Sequence, residues 1–101
     1  MILTEEDQGR TVEVEALSLI TVRLKENPTT GYRWAVETAE GLEIVGDNFE
    51  KMGAGLGAGG AHIFQFRAAG TGSHRVSLRK WRDWEGESSI IERFNITIVG
   101  T

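Results

Sequence analysis

An all-β, immunoglobulin-like sandwich of seven to eight short strands, with no helix of note, is the fold class this 101-residue sequence predicts. Three observations predict it. Apolar and polar residues alternate with period two in several short runs, the mark of half-buried strands. Glycine-rich turn signals separate those runs at short intervals. No stretch keeps apolar residues at i, i+3, i+4 and i+7 over the length of a helix. The Cys…Trp…Cys pattern of antibody domains is absent, so packing alone must hold the two sheets together.

The elements follow in order. Ile2 to Gln8 reads as a short edge strand, closed by a turn at Gly9. Thr11-Val12-Glu13-Val14-Glu15 alternates strictly and is the next strand. Ile20, Val22 and Leu24 sit at period two and face inward from a strand that ends at Lys25-Glu26. After a loop, Tyr32, Trp34 and Val36 alternate with Arg33, Ala35 and Glu37. Leu42 to Val45 begins another strand. Asp47 to Met52 reads as irregular, with Phe49 as an inward plug. Five glycines between Gly53 and Gly60 exclude a strand or helix interior and mark a long loop. His62 to Arg67 resumes β character, Ala69 to Gly72 is a tight turn, and His74 to Leu78 is a strand with Val76 and Leu78 inward. A polar, aromatic segment spans Arg82 to Ser89, and Phe94, Ile96 and Ile98 close the chain.

Composition narrows the function classes. With 40% hydrophobic and 26% charged residues the chain is globular, and its length suits one domain over residues 1–101. A net charge of −4 argues against nucleic acid as a partner. No apolar run approaches the roughly 18 residues of a membrane span, so no membrane partner is expected. The acidic start lacks a signal peptide's basic and apolar regions. The compartment is left open: cytoplasmic is the expectation for the chain as given, periplasmic or secreted if Met1 replaces a removed signal. There is no cysteine, hence no disulfide, thiolate metal site or Cys nucleophile. No oligomerisation signature is visible, and a monomer is expected.

Tests for chemistry come out negative, and no catalytic residue, metal or cofactor is assigned. Gly55, Gly57 and Gly60 spell G-x-G-x-x-G, but a strand follows them where a dinucleotide site needs a helix. His62 and His74 lack the short-spaced partners of a zinc motif and read as structural or solvent-facing. No Gly-x-Ser-x-Gly elbow is present. Asn95-Ile96-Thr97 fits the N-glycosylation pattern, which is common by chance. The chain does not read as an enzyme.

Three loops stand out. Asn27-Pro28-Thr29-Thr30-Gly31-Tyr32 holds the only proline, which fixes its own φ and pushes Asn27 toward extended geometry. Asn27 and the threonines can bond to nearby backbone. The loop is stiff, whether a plain turn or a binding loop. The glycine loop reads as a flexible interstrand loop, or as one whose backbone can lie close against another surface. Trp84 lies past a strand end among charges, either an interface anchor or a cover for the end of the sandwich. In immunoglobulin order these are the B–C, D–E and F–G loops, which share one end of the sandwich.

Together these loops resemble the chagasin family, the I42-type inhibitors of papain-like cysteine peptidases. The Asn-Pro-Thr-Thr-Gly motif is complete as Asn27, Pro28, Thr29, Thr30 and Gly31, followed by the aromatic Tyr32. The Gly-x-Gly-Gly motif matches Gly57, Ala58, Gly59 and Gly60. The Arg-Pro-Trp motif matches Arg82, Asp83 and Trp84, with Asp83 in place of the proline. Glu92-Arg93-Phe94 lies at the family spacing after that tryptophan, which favours Trp84 over Trp81. The resemblance implies a reversible, tight-binding inhibitor of papain-family (C1) proteases, such as papain or a cathepsin L-like enzyme. It would wedge into the cleft without a covalent bond. The 27–31 loop would sit beside the catalytic cysteine, the glycine loop on the non-primed side, and the Trp84 loop on the primed side. A non-inhibitory immunoglobulin-like adhesion or binding module using the same loops is the alternative.

Overall fold

The period-two runs become the strands of two facing four-stranded sheets in the computed structural model, which describes residues 1–52 and 59–101. The strands are β1 (Ile2–Leu3), β2 (Thr11–Val14), β3 (Leu19–Glu26), β4 (Arg33–Thr38), β5 (Leu42–Lys51), β6 (Gly60–Ala68), β7 (Gly72–Trp81) and β8 (Glu92–Gly100). One sheet has the order β1-β3-β6-β5 and the other β2-β8-β7-β4. All pairings are antiparallel except β1 with β3 and β2 with β8. This is the immunoglobulin arrangement, with the first strand divided between the sheets. No α-helix occurs among the described residues.

Alternation decides what lies between the sheets. Ile20, Val22 and Leu24 of β3 meet Phe64 and Phe66 of β6, Val76 and Leu78 of β7, and Phe94, Ile96 and Ile98 of β8. Leu3, Val12, Val14 and Trp34 complete the cluster. Burying each such side chain contributes roughly 1.5–3 kcal/mol, which is what closes the sandwich without a disulfide.

Two segments differ from the sequence expectation. The first strand stops at Leu3, because the Asp7 carboxylate accepts from the Thr4 N–H at 2.8 Å and turns Glu5–Asp7 into a 3-10 turn. That turn carries the chain across to the other sheet. Residues 47–51 are not irregular: β5 runs unbroken to Lys51 through a bulge between Ile44 and Gly46. The extra residue shifts the facing pattern, and an edge strand needs no clean apolar alternation. Phe49 is accordingly half-buried, lying 5.9 Å beneath the Arg33 guanidinium, and is not an inward plug.

Candidate functional site

Strand register brings three loops to one end of the sandwich. Glu26 at the end of β3 pairs with Gly60 at the start of β6, which also faces Lys51 at the end of β5. Arg33 at the start of β4 pairs with Trp81 at the end of β7, and Lys80 pairs with Glu92 at the start of β8. The β3–β4, β5–β6 and β7–β8 connections therefore leave from the same edge.

The β3–β4 loop is built by its own sequence. Pro28–Thr30 forms a 3-10 turn with Pro28 at its first position, where a missing N–H costs nothing. Asn27 caps the turn, its Oδ1 accepting from Thr29 N–H at 3.1 Å and from the Thr29 hydroxyl at 2.7 Å. The Asn27 carbonyl accepts from the Thr30 hydroxyl at 2.8 Å and from Thr30 N–H at 3.2 Å. Gly31 ends the turn at φ +82°, the left-handed region that favours glycine. Pro28, Thr29 and Thr30 are exposed at the tip.

The β7–β8 loop holds two 3-10 turns, Asp83–Glu85 and Glu87–Ser89. Buried Ser89 organises it: its hydroxyl accepts from Arg82 N–H at 3.0 Å and lies 2.9 Å from the Arg82 carbonyl. Asp83 occupies the first position of its turn, and Arg82 before it is extended at φ −103°, ψ 109°. Trp84 is 68% exposed, so it does not fold into the core. Trp81 ends β7 half-buried with the Arg79 guanidinium stacked 3.7 Å above it.

These two loops are fastened together. Arg82 Nη2 and Nε donate to the Thr30 carbonyl at 2.9 and 3.2 Å, and its guanidinium lies 4.3 Å over the Tyr32 ring. The six-membered ring of Trp84 packs over Gly31, where a Cβ would sit only 2.7 Å from Trp84 Cη2. Asn27, Pro28, Thr29, Thr30, Gly31, Tyr32, Arg82, Asp83 and Trp84 thus form one surface. Gly59 and Gly60 stand at the same end, where Met52 N–H donates to the Gly59 carbonyl at 3.1 Å. Gly57 and Ala58 lie outside the described residues.

Beneath the surface is a polar cluster that loop motifs did not reveal. Glu26, with a fully buried side chain, accepts from Trp34 N–H at 2.6 Å, Arg33 Nε at 3.1 Å and His62 Nδ1 at 3.0 Å. The other nitrogen of His62 bonds to Asp47. Burial raises the Glu26 carboxyl, but the His62, Trp34 and Arg33 bonds outweigh it and hold the group below its ordinary value. For His62, burial alone would lower the imidazole, yet the two facing carboxylates raise it on balance. The signal was present in the alternation: Glu26 continues the inward series Ile20, Val22, Leu24, and His62 that of Phe64 and Phe66.

The fold and this edge define the class: an immunoglobulin-like sandwich with a fastened, partly exposed loop end. The chain belongs to the chagasin family of peptidase inhibitors, I42, whose family pattern matches residues 13–98. It is similar to chagasin of Trypanosoma cruzi, 33% identical over 101 residues that cover 93% of this chain and 92% of that protein. Amoebiasin-1 of Entamoeba histolytica is 33% identical over 89 residues, covering 83% and 84%. The crystal structure of the cysteine protease inhibitor EhICP2 from Entamoeba histolytica shares the fold, with a TM-score of 0.88 at 23% identity over 99% of this chain and 94% of that one. The protein is therefore a peptidase inhibitor by family and not an enzyme.

Proposed function

We propose that this protein is a reversible inhibitor of papain-like cysteine proteases that fills the substrate cleft with the three loops at one end of the sandwich. Asn27, Pro28, Thr29, Thr30, Gly31 and Tyr32 form the central finger, with Thr30 and Gly31 nearest the catalytic cysteine. Gly57, Ala58, Gly59 and Gly60 lie along the non-primed side, and Arg82, Asp83 and Trp84 cover the primed side. The observation that carries this reading is the Asn27–Tyr32 loop, which projects an exposed tip while its own side chains and Arg82 fix its backbone.

A loop ordered before docking loses little conformational entropy on binding, so more of its contact energy appears as affinity. Exposed Trp84 supplies the large apolar contact typical of interface hot spots. Three such loops suit an interface of about 800 Å² per partner. Inhibition here is occlusion, and with no cysteine in the chain no mixed disulfide can form with the catalytic thiol. Titrating papain or a cathepsin L-like protease with the purified protein tests the reading. Residual activity should fall to near zero at sub-micromolar concentration, whereas full activity at micromolar protein would remove the proposal.

A further inference from the structure

The β3–β4 loop leaves one sheet and enters the other, so no backbone ladder joins the strands on either side of it. Its neck is closed by side chains instead. Glu26, the last residue of β3, accepts from Trp34 N–H and from Arg33 Nε, the first two residues of β4. In return Trp34 Nε1 donates to the Lys25 carbonyl at 2.9 Å. Each flank of the loop thus grips the other. His62, stacked on Phe64 with ring centroids 4.2 Å apart, supports the Glu26 carboxylate from behind and is itself braced by Asp47.

A buried ion pair is a doubtful source of net stability, since an apolar pair of similar volume often serves as well. It does confer geometry, because a carboxylate with several fixed donors has one place to sit. We propose that Glu26 is the positioning residue of the 27–32 loop, its buried carboxylate closing the neck so that the loop stands in docking shape before it meets a protease. Glu26 touches no partner and acts through Trp34, Arg33 and His62. Without the clasp the loop must be ordered on binding, and that ordering is lost from the affinity.

The affinity arm of the test rests on the inhibitory reading above; the exchange arm does not. For E26Q, amide hydrogen exchange in the free protein is expected to speed up at least tenfold at Thr30 and Gly31, with Val22 and Val76 in the core strands little changed. The dissociation constant for papain, measured well below the melting temperature, is expected to rise about tenfold. A lower melting temperature with unchanged loop exchange and unchanged affinity would make Glu26 a core residue only and overturn the proposal. If wild-type protein leaves papain active, the inhibitory reading fails, and the exchange result alone decides the clasp. Arg33 is exposed, so R33M keeps the test open should E26Q not fold. It removes one donor and should speed loop exchange about threefold, and no change would count against the clasp.

Discussion

Arg82 holds Thr30 by its carbonyl: two guanidinium N–H groups converge on one oxygen, joining segments that lie 52 residues apart in the chain. The contact fixes the backbone beside Gly31 and spreads the Arg82 plane over Tyr32. Lysine offers a point charge without the planar fork. Arg82→Lys should therefore raise the inhibition constant roughly tenfold, in keeping with one or two hydrogen bonds of about 1 kcal/mol each. An active-site titration against papain measures this, and an unchanged constant would show that the contact does not shape the docking surface.

Gly31 is constrained twice, by its positive φ and by Trp84 lying over it. Gly31→Ala adds a methyl where the indole packs and strains the turn. Binding should weaken at least tenfold, and near-ultraviolet circular dichroism should report the displaced tryptophan. Tight binding by this variant would mean that Trp84 does not need its place over Gly31.

Trp84 itself is exposed and should contribute to affinity without supporting the fold. Trp84→Ala should cost about 2 kcal/mol or more of binding, roughly a thirtyfold rise in the dissociation constant, with the melting temperature nearly unchanged. A large drop in melting temperature would reassign the residue to the packing of the sandwich end.

Asp83 stands where the family motif has proline. The site accepts proline: it is the first position of a 3-10 turn, the preceding Arg82 is extended, and the turn's bonds come from the N–H groups of Glu85 and Gly86. Asp83→Pro should stiffen the loop and remove a negative charge beside the tryptophan, tightening inhibition severalfold. An equal or weaker inhibition constant would contradict this.

The Glu26–His62 pair makes stability depend on pH at both ends. The raised His62 contributes fully below its ordinary value of 6.5, and the contribution is lost as pH rises through the higher folded value. The lowered Glu26 contributes above its ordinary 4.5, and the contribution is lost as pH falls through the folded value. Asp7 and Glu37, also lowered, share the acid limb. Melting temperature should be greatest between about pH 4.5 and 6.5, and His62→Gln should flatten the alkaline decline. An alkaline decline of the same size in that variant would assign it to other groups.

Much of this was legible in the sequence because it follows from local chemistry. Pro28 and Gly31 mark a shaped turn, and period two in β3, β6, β7 and β8 marks the core. The far half of β5 was hidden by its bulge, which breaks the alternation that a strand reading depends on. Glu26 reads as the polar end of its strand and His62 as structural or solvent-facing, and only the fold pairs these residues, 36 apart in the chain. The Arg82–Thr30 contact was hidden for the same reason. Nothing in the sequence singles out Ser89, because its role depends on where Arg82 turns.

If the loop edge occupies the substrate cleft of a papain-like protease, inhibitor and substrate must exclude each other. The dependence of the apparent inhibition constant on substrate concentration tests it most directly. Cleft occlusion predicts strict competition, with the apparent constant rising linearly as substrate is raised above its KM. An apparent constant independent of substrate concentration would place the contact away from the cleft and rule out occlusion.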